Sequence, residues 1–380
     1  MQVTGIICEC NPFHFGHEKA VRAAKDLGAD AVIGVMSGNY VQRGEPACMS
    51  KFDRAEAMAK HGFDLVLELP VRFALASSQR FAAAGVRLLD AIGAADTLLF
   101  GSECGDQELL REAAAVLCSP DTVDGIRKRQ ENGVSYPAAQ EQILSVVLGQ
   151  EKAVALRGGN NLLALEYLKA LETEGSKLRP VTVRRIEDGL SAHGIRDRMR
   201  KGMPLEDTVP GDLIPDYKEY NGPDVNSFSR TCLLRLRDCT ETDLARLPDG
   251  KGGLDQRIFR AAGKAASLDE LFEAVKTRRY TMSRVKRMTL CAVLGLYGSP
   301  DVPPPYARIL AIGKHGKEIL AVMKEASSIP FSADVRVLEA SSSLASEMIA
   351  EEMRADDFYN LNRKVPVPVG EDCTRRLFVL

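Results

Sequence analysis

The sequence predicts an α/β fold, a doubly wound parallel-sheet domain joined to a mostly α-helical C-terminal domain. Short apolar runs alternate with amphipathic helical segments over the first 200 or so residues. Polar, glycine-containing turns follow the carboxyl ends of those runs, where open α/β sheets bind ligands. Beyond a proline-rich stretch the periodicity becomes helical.

Strands are expected at 3–9, 31–36, 65–69, 97–100 and 181–185, each a run of apolar or β-branched residues ended by Gly, Pro, Asn or a charge. Between them, spacings of three and four predict helices at 17–27, 51–61, 78–92 and 161–171. Residues 106–157 show helical pattern without a strand and read as a helical insertion. The first domain thus spans 1–202. Residues 203–226, with Pro204, Pro210, Pro215 and Pro223, read as a linker or irregular lid. Residues 227–380 read as a mostly helical domain, with helices at 227–237, 253–265, 268–276, 283–296 and 314–324 and a proline break at 303–305.

The chemistry concentrates after the first strand, in the stretch VTGIICECNPFHFGHEKA. Asn11-Pro12 bends the chain, and a helix begins near His14, Gly16 and His17. Helix N-terminal amides and the dipole favour a phosphate there, and Gly16 has no side chain to obstruct it. Two imidazoles three residues apart can donate hydrogen bonds to charge developing on an α-phosphate during nucleotidyl transfer, and neither needs to act as a base. Four such residues also recur by chance as a solvated surface pair. Farther on, Arg43 and Lys51 could reach phosphates, or Arg43 could pair with Glu45 while Lys51 is solvated. Ser50 is expected to cap the helix that follows. Glu68, in the apolar run LVLELP, requires a partner or a place at the strand's carboxyl end. Gly101 reads either as a turn glycine or as a gap for adenine or ribose, and Asn160 or Asn161 reads as a helix cap or a ligand contact.

The chain has 380 residues and 45% hydrophobic content, ample for a folded core. Its 50 basic and 52 acidic side chains leave a formal charge of −2, which excludes a wholly basic nucleic-acid binder but not a local basic surface. Such a surface is KTRRYTMSRVKR, with Lys276, Arg278, Arg279, Arg284, Lys286 and Arg287, no acid, and Tyr280 able to stack on an unpaired base. The alternative is a solvated helix end. Aromatics are 6% with no Trp, so a broad base-stacking platform is not expected. Nine cysteines without a CxxC pair read as reduced thiols. No charged-then-apolar leader and no run of eighteen apolar residues occurs, so the expected location is cytoplasmic, with no membrane contact.

Taken together, ECNPFHFGH, SGNYVQRGEPA, DLVLELP, LLFGSE, GGNNLLALEYLKAL and VKTRRYT resemble the bacterial tRNA(Met) cytidine acetate ligase family, within the HxGH nucleotidyltransferase-like superfamily. Cys10 stands where that family commonly has Tyr, and Phe15 where Asn usually separates His14 from Gly16. The resemblance implies an HxGH nucleotidyltransferase-like Rossmann domain. It implies an ATP site formed by Ile7, Cys8, Glu9, Cys10, Asn11, Pro12, Phe13, His14, Phe15, Gly16, His17, Glu18, Lys19 and Ala20, with Gly101, Asn161, Arg185 and Ile186. The segment LSAHGIRDRMRK resembles the ISxTxIR element of related nucleotidyltransferases, which implies that Ser191 and Arg196 hold the triphosphate, with His193 in place of threonine. His14, His17 and Arg196 are the expected catalytic residues.

The implied reaction uses ATP and acetate to make acetyl-adenylate, then acetylates the wobble cytidine of elongator tRNA(Met), giving N4-acetylcytidine. Mg2+ is expected on the phosphates, with no dedicated protein ligand set. Two other classes remain open: a small-molecule adenylyltransferase, which leaves 276–287 without a role, and a non-catalytic ATP- or RNA-binding protein, which has no need of paired histidines.

Overall fold

The computed structural model describes residues 1–185, 191–250 and 252–380. In chain order its strands are β1 (Val3–Cys8), β2 (Ala31–Ser37), β3 (Tyr40–Val41), β4 (Glu45–Pro46), β5 (Leu65–Leu69), β6 (Thr97–Ser102), β7 (Arg179–Arg184), β8 (Ala307–Ile312), β9 (Phe331–Ser332) and β10 (Phe378–Val379). The main sheet runs β10-β8-β5-β2-β1-β6-β7, with β9 also paired to β8, and β3-β4 is a separate antiparallel hairpin. The five apolar runs pair in parallel, with Val3 opposite Ala31, Ile33 opposite Leu65 and Thr97 opposite Arg179. β1 has β2 on one side and β6 on the other, so the strand order reverses at β1. The crevice beyond its carboxyl end is therefore where this architecture receives a ligand.

Helices cover both faces. The helix Ser78–Ile92 packs on β1 and β5, and helix Gly159–Thr173 packs on β6. Ile7, Leu89, Leu98, Phe100 and Tyr167 are among the buried residues of this layer. Ile6, Val32, Met36, Met58, Phe63 and Val66 are buried on the opposite layer. Residues 106–157 hold the helices Gln107–Cys118, Pro120–Glu131, Tyr136–Leu148 and Gln150–Ala155, as the pattern predicts. They are pinned by a buried network in which Tyr136 and Gln140 donate to Glu166 at 3.0 and 2.9 Å and Lys169 pairs with it at 2.8 Å.

Two expectations change. The second half is mostly helical, yet it also supplies β8, which lies antiparallel to β5 and makes the sheet mixed. Residues 307–312 are buried throughout and form a strand bounded by a proline cluster and Gly313, a short apolar run that periodicity alone cannot tell from a helix segment. The proline-rich stretch 203–226 is not a solvated linker. Leu205, Val209, Leu213 and Tyr217 are buried, the Tyr217 hydroxyl donates to the Phe13 carbonyl at 2.9 Å, and Phe15 N–H donates to Thr208 at 3.2 Å. It braces the turn after β1.

Candidate active site

The turn after β1 is built from the side chains that the HxGH pattern singles out. Ile7 and Cys8 end the strand; Glu9 to Phe13 form the turn; Phe15 to Ala20 open the helix Phe15–Asp26, with Gly16 and Lys19 exposed and Glu18 and Ala20 half-buried. His14 caps this helix: its Nδ1 accepts from Gly16 N–H at 2.9 Å, while His14 N–H donates to Nδ1 of His17 at 3.2 Å. A capping box thus starts the helix two residues before the predicted 17, with imidazoles in the usual Ser/Glu roles. Each Nδ1 is an acceptor, so in each neutral ring the proton sits on Nε2. The rings lie 4.1 Å apart, centroid to centroid. Burial, and after it the Arg185 guanidinium, pushes His14 down to about 4. Burial, His14 and Arg185 hold His17 well below the usual histidine value. At neutral pH the pair is two neutral Nε2–H donors.

Gly16 serves this arrangement in a way that the sequence does not reveal. A Cβ there would lie 2.6 Å from His14 Cε1, so the missing side chain makes room for the imidazole. Phe13 is fully buried, stacked 5.5 Å from His17 and 5.3 Å from His61. Cys10 adopts φ 44°, its thiol 3.5 Å from that of Cys8, and the Asn11-Pro12 peptide is cis. Asn11 Oδ1 accepts from Cys48 N–H at 2.8 Å. Burial raises the Glu9 carboxyl despite the Gln42 N–H donated at 2.7 Å and the nearby Arg43, Arg196 and Arg54. Arg54, which sequence reasoning missed, is fully buried and donates to the carbonyls of Glu9 at 2.6 Å, Ser37 at 3.1 Å and Gly38. It ties the ends of β1 and β2; its placement among Ala55 and Met58 on the apolar face was the available signal.

Several expected residues converge on this turn. Arg185 acts electrostatically on both histidines, and its Nη1 donates to Asn160 Oδ1 at 2.7 Å. A Cβ on Gly101 would lie 2.9 Å from Arg185 Cγ, so this glycine gives its space to Arg185. Arg196, on the helix Ala192–Lys201, donates to the Asn11 carbonyl at 2.7 Å and lies 4.0 Å from Glu45. Ser191 caps that helix, accepting from Gly194 N–H at 3.3 Å. His193 points to solvent near Asp197, 3.7 Å away, so it does not take over a threonine-type contact in this arrangement. Asn161 is buried and its amide is fully used: Oδ1 accepts from Glu103 and Cys104 N–H, and Nδ2 donates to the Ala155 and Arg157 carbonyls. In this structure its side chain holds the turn after β6. Ile186 lies outside the described residues.

Other expectations are overturned. Lys51 does not face phosphates: it is fully buried, pairing with Glu68 at 2.8 Å, Asp356 at 2.5 Å and Asp372 at 2.9 Å. Glu68 finds its second partner in Arg308 at 3.0 Å. Nor does 276–287 form one exposed basic helix. The helix is Met282–Leu294, and the preceding turn carries Lys276, Arg278 and Arg279, all exposed. Tyr280 is buried, its hydroxyl donating to the Gly252 carbonyl under Arg284, and so is closed to base stacking. Arg284 donates to the Asp249 carbonyl at 2.8 Å, Lys286 pairs with Glu45 at 2.5 Å, and buried Arg287 donates to the Gln42 carbonyl at 3.1 Å. Burial lowers the Arg284 and Arg287 guanidinium values. The Asp249 carbonyl thus holds Arg284, and the β3-β4 hairpin holds Arg287 and, through Glu45, the partly exposed Lys286.

Among the described residues no group of three or more His, Cys, Asp or Glu is arranged to hold a metal ion, and no helix is long and apolar enough to cross a membrane. A family model described as HIGH Nucleotidyl Transferase matches residues 1–369. A protein named tRNA(Met) cytidine acetate ligase from Acetivibrio thermocellus is 32% identical, with 100% of both chains covered. One of the same name from Caldanaerobacter subterraneus subsp. tengcongensis is 34% identical over 96% of each chain. The crystal structure of Thermotoga maritima TmcAL bound with alpha-thio ATP is similar with a TM-score of 0.91 and 30% identity over 100% of both chains. The family match, the overall fold and the full-length similarity make one conclusion: the chain belongs to the tRNA(Met) cytidine acetate ligase family of HIGH nucleotidyl transferases.

Proposed function

We infer that the chain is an ATP-dependent tRNA-modifying ligase that activates acetate as acetyl-adenylate and acetylates the wobble cytidine of elongator tRNA(Met). The observation that carries this reading is the pair of imidazoles at the carboxyl end of β1, held neutral by burial, each with its Nδ1 taken by a backbone N–H so that Nε2–H is left to donate. An acetate oxygen attacks the α-phosphorus of ATP, the bond to the bridging oxygen breaks, and pyrophosphate leaves. Acetate is already ionised, so alignment and charge stabilisation matter more than proton removal. His14 and His17 serve as donors to the α-phosphate and the leaving group, and Arg196, with Arg185, supports the β- and γ-phosphates. The turn from Ile7 to Ala20, with Gly101, Arg185, Ile186 and Ser191, forms the nucleotide site, and Asn161 serves it by holding the turn at 103–104. Mg2+ travels with the phosphates, and no step depends on a protein ligand for it.

In the second step the exocyclic amine of cytidine attacks the acetyl carbon, AMP leaves, and the amine loses a proton. An unpaired loop nucleotide can be splayed into such a site. The helices of 227–380 carry the tRNA body, with Lys276, Arg278 and Arg279 as its phosphate contacts. Acetate-dependent pyrophosphate exchange tests the reading. His14→Ala and His17→Ala each reduce exchange by about 10²–10³ without unfolding the chain. Exchange with another acceptor instead of acetate supports a small-molecule adenylyltransferase, and none at all supports a binding protein.

A further inference from the structure

One acidic side chain stands between the two halves of the proposed reaction. Glu45 sits on β4, at the hairpin that closes over the crest of β1. One of its oxygens is 2.5 Å from Lys286 Nζ, on the helix Met282–Leu294; the other is 4.0 Å from Arg196 Nη2. Arg196 in turn donates to the Asn11 carbonyl, three residues before His14. The hairpin has little freedom to separate the two partners. Gln42 N–H donates to Glu9, Gln42 carbonyl accepts from Arg287, and a Cβ on Gly44 would lie 2.6 Å from the Arg287 backbone nitrogen. Burial would raise the Glu45 carboxyl, but Lys286, Arg196 and Arg43 hold it below the usual carboxylate range, so its charge is present at neutral pH. The Lys286 side chain is 25% exposed, whereas that of Arg196 is 13% exposed.

We propose that Glu45 is a positioning residue whose charge is shared between Arg196 and Lys286, so that an RNA phosphate captured by Lys286 turns Glu45 onto Arg196. With Lys286 in place, Glu45 is largely neutralised and Arg196 is available to the triphosphate. When a phosphate takes Lys286, more of the carboxylate charge falls on Arg196 and competes with pyrophosphate for it. RNA binding thereby weakens the hold on the leaving group after the adenylate has formed. This rests on the ATP site proposed above.

The test is an epistasis measurement on the full chain. Lys286→Met leaves Glu45 to Arg196 and the more distant Arg43 and raises the KM for ATP in acetate-dependent exchange by about fivefold or more, with kcat little changed. Lys286→Arg keeps the wild-type KM. Adding Glu45→Gln to Lys286→Met restores the KM to within about twofold of wild type. ATP binding by calorimetry follows the same order. An unchanged KM in Lys286→Met, or a double variant as impaired as the single one, overturns the proposal. Absence of exchange in the wild type overturns the ligase reading instead, and the calorimetric series still decides the role of Glu45.

Discussion

Two groups of cations, both placed near strand ends by the sequence, have opposite fates in the structure. Around the turn after β1, Arg185 and Arg196 make one or two polar contacts each with the described residues, and Arg43 is exposed at a hairpin tip. A few residues away, Lys51 and Arg308 are sealed among Glu68, Asp356 and Asp372, with Arg308 2.9 Å from Asp372. Here burial and Asp372 push Asp356 well above the usual carboxyl range, while burial and Arg308 oppose the Lys51 charge but are outweighed by the acids. The difference teaches that residue type and proximity to a strand end do not mark a phosphate ligand. A cation can take a phosphate only with hydrogen-bonding capacity left to spend. The sealed cluster joins β5 and β8 to the helix Ser343–Leu361, and it must stay fully paired because each buried charge left alone costs several kcal/mol.

The sharpest way to break this comparison is Lys51→Met, which strands buried carboxylates and should lower stability by about 3–5 kcal/mol in urea denaturation. A loss under about 1 kcal/mol would mean the cluster behaves like a surface pair. Next in size is a pH effect at the turn. His14 titrates near 4 when folded and near 6.5 when unfolded, so the unfolded chain binds the proton first as pH falls. Its contribution is present above about 6.5 and is lost toward 4, about 2–3 kcal/mol by pH 4.5. His14→Asn keeps a capping side chain, and its stability should fall by that much less than wild type between pH 7 and 4.5; parallel curves would sink the assignment.

Gly16→Ala then probes the turn alone. The added methyl displaces the His14 ring, so exchange should drop about 10²-fold; retained activity would show that the ring position is not needed. Smaller still, Tyr280→Phe removes a buried donor and should cost about 1 kcal/mol while sparing tRNA affinity. Arg278→Glu with Arg279→Glu should do the reverse, shifting stability by under about 0.5 kcal/mol while weakening tRNA binding and its salt dependence. Equal effects from both sets would erase the distinction between spent and unspent cations in this segment.

Where sequence reasoning succeeded, each element announced itself through its own pattern. β1, β2, β5 and β6 begin where expected, because apolar runs bounded by turn residues leave few alternatives. The histidine pair was legible from spacing and its position after the first strand. What stayed hidden was charge turned inward. The helix Ser343–Leu361 buries Glu351, Glu352, Asp356 and Asn360, which blurs any apolar stripe. Arg284, Lys286 and Arg287 looked like an electrostatic footprint because a linear sequence does not show that Asp249, Glu45 and Gln42 come to meet them. Asn161 and Gly101 matched a resemblance, but their present contacts, with the 103–104 amides and with Arg185, depend on long-range packing.

The antiparallel return of β8 beside β5 has a practical corollary. The helices from Val225 to Leu294 leave the α/β body and rejoin it, so they form an excursion with two anchors rather than a detachable tail. Cutting the chain at 226 would strip β8 and β10 from the sheet and uncover Leu65 and Leu67, so a minimal adenylate-forming fragment should come out insoluble.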